Sequence, residues 1–191
     1  MKRMRFGTLF LAGLLAGIFV MNIGKSILLE GTGLLDEYTL YRMKYMTVDS
    51  NALFCYVLRQ RIGGALIMAI LATTYLGMIV CAGAAFWYGL SAGAFLSALI
   101  LRYGLKGIAF AAVGIFPQYL LYAPALAALL VWGIKLNRSI YFREYEGSAG
   151  GKYFWMGKAL RFLGILFVMG LGCVLESFWN PRLMLALLKV F

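Results

Sequence analysis

Between Arg61 and Arg102 the chain reads IGGALIMAILATTYLGMIVCAGAAFWYGLSAGAFLSALIL (62–101), 40 residues without one Asp, Glu, Lys, Arg or His. A hydrocarbon core about 30 Å thick takes about 20 helical residues to cross, so this run is long enough for two crossings. Two shorter charge-free runs, 19 residues at 6–24 and 28 residues at 107–134, are long enough for one each. In lipid every backbone N–H and C=O must find its partner within the protein, which leaves helices for runs of this length. The whole chain agrees: of 191 residues, 63% are hydrophobic and 13% charged. A soluble domain has about 45–50% apolar residues and about a quarter charged. The class is therefore an all-α polytopic membrane protein.

Working outward, five spans are expected in one integral membrane domain, at about 6–23, 62–81, 86–101, 108–134 and 162–175, with polar segments at 24–61 and 135–161. The first apolar stretch, 18 residues, exceeds the h-region of a cleavable signal and reads as a retained anchor. It carries Gly13 and Gly17 in the GxxxG spacing that lets helix backbones approach closely. In LLDEYTLYRMKYM (34–46), Tyr38, Tyr41 and Tyr45 share one helical face, which suits an amphipathic helix on the membrane surface or one packed on its own protein. Asp49 or Ser50 can cap a helix over 51–61 that runs on into the second span. AGAA (82–85) is expected to be a tight turn. Pro117 and Pro124 are expected to interrupt the fourth span and free backbone polar groups, because proline has no N–H to donate.

The formal charge of +11 invites a nucleic-acid reading. The cations, however, sit in connections and at the ends of apolar runs, where anionic head groups account for them. Lipid is the expected partner and nucleic acid is not. Lys2, Arg3 and Arg5 before the first span favour a cytoplasmic N-terminus in a multi-pass cell-membrane protein. Arg59 and Arg61 would then violate the positive-inside rule. Three cysteines without CxxC spacing make neither a disulfide frame nor a metal site. There is no histidine, the commonest general base and metal ligand. GLSAG (89–93) matches the nucleophile-elbow pattern, but that elbow needs a strand-to-helix turn and a histidine. Ser91 between two glycines is better explained as a small-residue packing face. No cofactor motif or carboxylate cluster is present, so neither catalysis nor a cofactor is expected.

Polar residues within spans remain as candidates, because they are costly there. Glu176 leads, after a charge-free run of 14 residues. It could pair with Arg102 or Lys106, or bond backbone freed at Pro117 or Pro124. It could equally be an interfacial carboxylate that marks where the helix leaves the membrane. Gln118 is a weaker candidate of the same kind.

FPQYLLYAP (116–124) resembles the P-H-x-x-x-E-x-P signature of the stage II sporulation protein M family. VLESFWNP (174–181) resembles that family's closing I-E-x-F-x-T-P pattern. Pro117 and Pro124 match its two prolines, and Glu176, Phe178 and Pro181 match its terminal motif. The signature's histidine is Gln118 here and its glutamate is Tyr122. With LLDEYTLYRMKY, the whole looks like a clostridial branch of that family. The resemblance implies a non-catalytic membrane scaffold of endospore engulfment that recruits cell-wall hydrolases to the sporulation septum. It favours shape over proton chemistry and leaves a homo-oligomer open. Tyr38, Tyr41 and Tyr45 would anchor the recruiting surface, and Glu176 would tether the final span to the two-proline helix. The competing class is a transporter- or permease-like subunit, because proline-broken helices beside a buried carboxylate suit substrate pathways.

Overall fold

The computed structural model describes residues 6–24, 49–114, 116–141, 152–183 and 186. The segment with Tyr38, Tyr41 and Tyr45, expected to form a surface helix, lies outside the described residues. Among the described residues there are six α-helices: α1 (Phe6–Ile23), α2 (Ser50–Ala72), α3 (Gly77–Tyr103), α4 (Leu105–Gly114), α5 (Phe116–Tyr141) and α6 (Lys152–Val174). A wider π turn, Leu175–Trp179, continues α6. Among the described residues, five stretches are long and apolar enough to cross a membrane: Phe6–Ile23, Ser50–Ala72, Gly77–Tyr103, Pro117–Tyr141 and Trp155–Leu183. Their outward faces are large and apolar: Leu15, Phe19, Ile70, Leu160 and Phe167 are each about two-thirds exposed. Lipid is the medium that such faces fit.

Four boundaries differ from those expected. The second helix spans Ser50–Ala72, so Arg59 and Arg61 lie within a span and not ahead of one. The turn expected at 82–85 is helical, and the chain turns at Thr73–Leu76 instead. Small residues signal a turn in water, whereas alanine is the best helix former. In lipid a turn must satisfy its own carbonyls, and the threonines here can do so. Thr73 and Thr74 donate their hydroxyls to the Ile70 and Leu71 carbonyls, each at 2.6 Å. The third difference is in the two-proline segment. α4 is a separate short helix, and α5 starts at Phe116, with Pro117 in its first turn and Pro124 inside it. Proline's missing N–H costs nothing in a first turn, where that donor has no helical partner anyway. The fourth is at 135–161, expected to be a polar segment: both of its ends are helical, since α5 continues to Tyr141 and α6 begins at Lys152.

The chain divides into two compact units. One takes in α1, α3 from Gly83 onward and α4; the other takes in α2, the start of α3, α5 from Gln118 onward and all of α6.

In the first unit α1 and α3 meet through glycine. A Cβ at Gly13 would strike the Phe86 carbonyl, and one at Gly17 the Leu90 carbonyl. Reciprocally, a Cβ at Gly89 would strike the Phe10 carbonyl and one at Gly93 the Leu14 carbonyl. The GxxxG of α1 and the GLSAG of α3 are thus two halves of one seam. Ser91 itself is exposed. At the far end of α1, the Asn22 amide donates to the Ser97 hydroxyl at 3.4 Å. Gly104, at φ 58°, closes α3 in the left-handed conformation that favours glycine.

In the second unit α5 is central. Its buried residues Gln118, Tyr122, Ala125, Leu129, Gly133 and Asn137 recur every three or four positions, forming one stripe. Ala125 and Leu129 pack with Ala65 of α2 and Met169 of α6. Trp132 stacks on Phe162, with ring centroids 4.7 Å apart, and its indole N–H donates to the Lys158 carbonyl at 2.9 Å.

Candidate functional site

Three helices of the second unit converge on a polar cluster. Arg61 comes from the middle of α2, Tyr122 from the second turn of α5, and Glu176 from the π turn after α6. The Tyr122 hydroxyl donates to Glu176 Oε2 at 2.8 Å and lies 3.3 Å from Cys173 Sγ. Arg61 Nη2 stands 3.4 and 3.5 Å from the two Glu176 oxygens. Those distances make an ion pair rather than a forked hydrogen bond. The guanidinium also lies over the Tyr122 ring, 4.7 Å from its centroid, in cation–π range.

Local sequence explains why the pieces fit. Gly172 makes room for the tyrosine, since a Cβ there would sit 2.7 Å from Tyr122 Cε1. Val57, Tyr122 and Cys173 form a buried apolar layer beneath the charges. Pro181 follows the wide turn that carries Glu176, and a proline there has no N–H with which to continue regular α-helical bonding. Single π turns of this kind occur frequently at functional sites.

A charged side chain within a span costs from about 2.5 kcal/mol upward, depending on depth. Here the two opposite charges offset one another, and the tyrosine hydroxyl supplies the carboxylate's strongest bond. The carboxylate, the phenol and the guanidinium engage one another and so link α2, α5 and the turn after α6.

A second polar contact secures the α2–α3 turn. Asn137 is wholly buried and donates from Nδ2 to the Ala72 carbonyl at 3.1 Å and the Thr74 carbonyl at 2.7 Å. The Tyr141 hydroxyl donates to the Thr73 carbonyl at 3.0 Å. Carbonyls at a helix end lack intrahelical donors, and α5 supplies them. Gly77 allows the approach, because a Cβ there would lie 2.5 Å from the Ala72 oxygen and 2.7 Å from Asn137 Nδ2.

Of the residues singled out from sequence, Glu176 is in the cluster. Arg102 and Lys106, offered as its partners, belong to the first unit, and the cation beside it is Arg61. Among the described residues its polar partners are the Arg61 and Tyr122 side chains, not backbone freed by proline. Gln118 is buried in the second unit, and its Oε1 has no partner among the described residues. Pro124 sits within α5, two residues beyond Tyr122. Pro117, Phe178 and Pro181 fall in the first unit. Arg61 and Asn137 were not nominated from sequence. For Arg61 the available signal was its conflict with the positive-inside rule, which counts loop cations and not cations within a helix.

Fold and cluster define a multi-pass helical membrane protein stabilised by intramembrane polar contacts. The model of the family described as stage II sporulation protein M matches residues 6–181. The chain belongs to that family, whose members are sporulation engulfment membrane proteins and are generally non-catalytic. No curated protein and no solved structure matches it.

Proposed function

We propose that this protein is a clostridial-type, non-catalytic scaffold at the sporulation septum that recruits peptidoglycan hydrolases to the engulfing membrane. The observation that carries this reading is the cluster itself. The one carboxylate found in a described span, Glu176, is engaged by Arg61 and Tyr122 within its own unit. A group held in this way serves shape, which is what a platform for other proteins requires. Family membership over 6–181 supports the cellular setting. The N-terminus is cytoplasmic in this reading, and segment 24–51, with Tyr38, Tyr41 and Tyr45, faces the wall and takes the hydrolases.

Replacing the three tyrosines with serine should lower hydrolase recovery in a membrane pull-down several-fold while the protein remains in the membrane. Unchanged recovery would remove the recruiting surface. Solute flux in proteoliposomes that disappears in Glu176→Gln would favour a permease-like subunit instead.

A further inference from the structure

Between α5 and α6, within the second unit, runs an open groove of about 460 Å³. Its floor is apolar, made in part by Pro124, Ala128, Gly164 and Val168. One end carries three cations, Lys135, Lys158 and Arg161, and none of the described residues that line the groove is acidic. The polar cluster around Glu176 does not use any of these residues. From Pro124 to Lys135 is eleven residues, about 16 Å of helix, while the hydrocarbon of one leaflet is about 15 Å deep. The cationic end also lies at one of the two aromatic-bearing ends of the helices, the other carrying Tyr56, Tyr119 and Trp179. Tyr75, Tyr141 and Trp155 are each at least two-fifths exposed, and Tyr75 packs edge-on against Tyr141. Exposed Trp and Tyr of this kind mark the head-group level of a bilayer.

We propose that this groove is a binding site for an anionic phospholipid. One acyl chain lies along the floor towards Pro124, and the phosphate sits among Lys135, Lys158 and Arg161. Lys158 is oriented for this, since its ammonium donates to the Ser139 hydroxyl and lies 5.3 Å from the Trp155 ring centroid. Gly164 keeps the floor open: a Cβ there meets nothing within 4 Å. Charge complementarity selects the occupant. A zwitterionic lipid fits the floor equally well but brings its own cation to a mouth that already holds three. Basic pockets between membrane helices bind anionic head groups by this logic.

Trp132 lines the groove and serves as the reporter. The full chain, with its other tryptophans removed (Trp87→Phe, Trp155→Phe, Trp179→Phe), is reconstituted in vesicles of equal parts phosphatidylglycerol and phosphatidylcholine. Either lipid carries brominated chains, which quench a neighbouring indole. Brominated phosphatidylglycerol should quench Trp132 far more than brominated phosphatidylcholine. Lys135→Gln with Arg161→Gln should reduce that enrichment roughly tenfold, whereas Arg59→Gln with Arg182→Gln, an equal charge loss elsewhere, should leave it intact. Gly164→Leu should abolish it with all three cations in place, because the leucine fills the floor. Equal quenching by the two lipids would overturn the proposal, as would enrichment that survives both groove variants. Displacement by millimolar inorganic phosphate would also overturn it, since the site would then take a free anion and need no acyl chain.

Discussion

The two units hold their helices together by opposite means. The α1–α3 seam brings backbone against backbone: four glycines meet four carbonyls, with a side-chain bond from Asn22 to Ser97 near the end of α1. Where α2, α5 and α6 meet, side chains carry the contact, through an ion pair, a tyrosine bond and a buried asparagine. Lipid tails are as apolar as leucine, so burying a leucine between helices gains little over leaving it in lipid. Close packing and polar pairing remain, and the first unit leans on the former while the second leans on the latter. The difference shows in which changes each should tolerate. A glycine seam fails when volume is added, whereas a polar cluster fails when a partner is removed.

The largest effect is expected at the seam. Gly17→Leu forces a side chain onto the Leu90 carbonyl, and backbone has no alternative rotamer with which to yield. The expected loss is about 3 kcal/mol, the upper end for overpacking, read by reversible unfolding in mixed micelles. Gly63→Ala on α2, where a Cβ meets open space, should be nearly neutral. Equal effects at the two positions would erase the distinction between the units.

Next comes the ion pair. Arg61→Met or Glu176→Leu alone leaves one charge within the helices. The expected loss is about 2 kcal/mol, less than the 3–5 of a fully buried pair, because the Arg61 side chain is 33% exposed and that of Glu176 19%. The double variant removes both charges and should lose less than either single one. Simple addition of the two losses would show that the charges act independently.

The smallest effect belongs to Tyr122→Phe, which keeps the ring beneath the guanidinium and removes the hydroxyl. Hydrogen bonds between membrane helices average about 0.6 kcal/mol and reach about 1.7. A value near 1 kcal/mol is expected from the same unfolding measurement, and a loss above that of Glu176→Leu would make the tyrosine the organising residue.

Legibility from sequence followed the range of the interactions. Charge-free runs announced the helices, because hydrocarbon excludes ionised groups over a fixed thickness. Glycine spacing announced that α1 and α3 each had a close-packing face, but not that the faces were partners. Glu176 stood out because a carboxylate beside an apolar run is costly. Its partners did not, since Arg61 lies 115 residues away and Tyr122 lies 54. The α2–α3 turn was misplaced for a related reason. What permits a turn in lipid is a donor for its carbonyls, and Asn137, 65 residues from Ala72, supplies it.

The sequence by itself determined that lipid surrounds this chain, that its spans are helical, and that one acidic residue needs an account. It could do so because hydropathy and charge are summed locally, over stretches no longer than one crossing. The tertiary structure alone decided which cation meets Glu176, which glycine row meets which, and where the chain turns between α2 and α3. Each of those depends on side chains far apart in the chain being brought within a few ångströms, and no local pattern of residues encodes that.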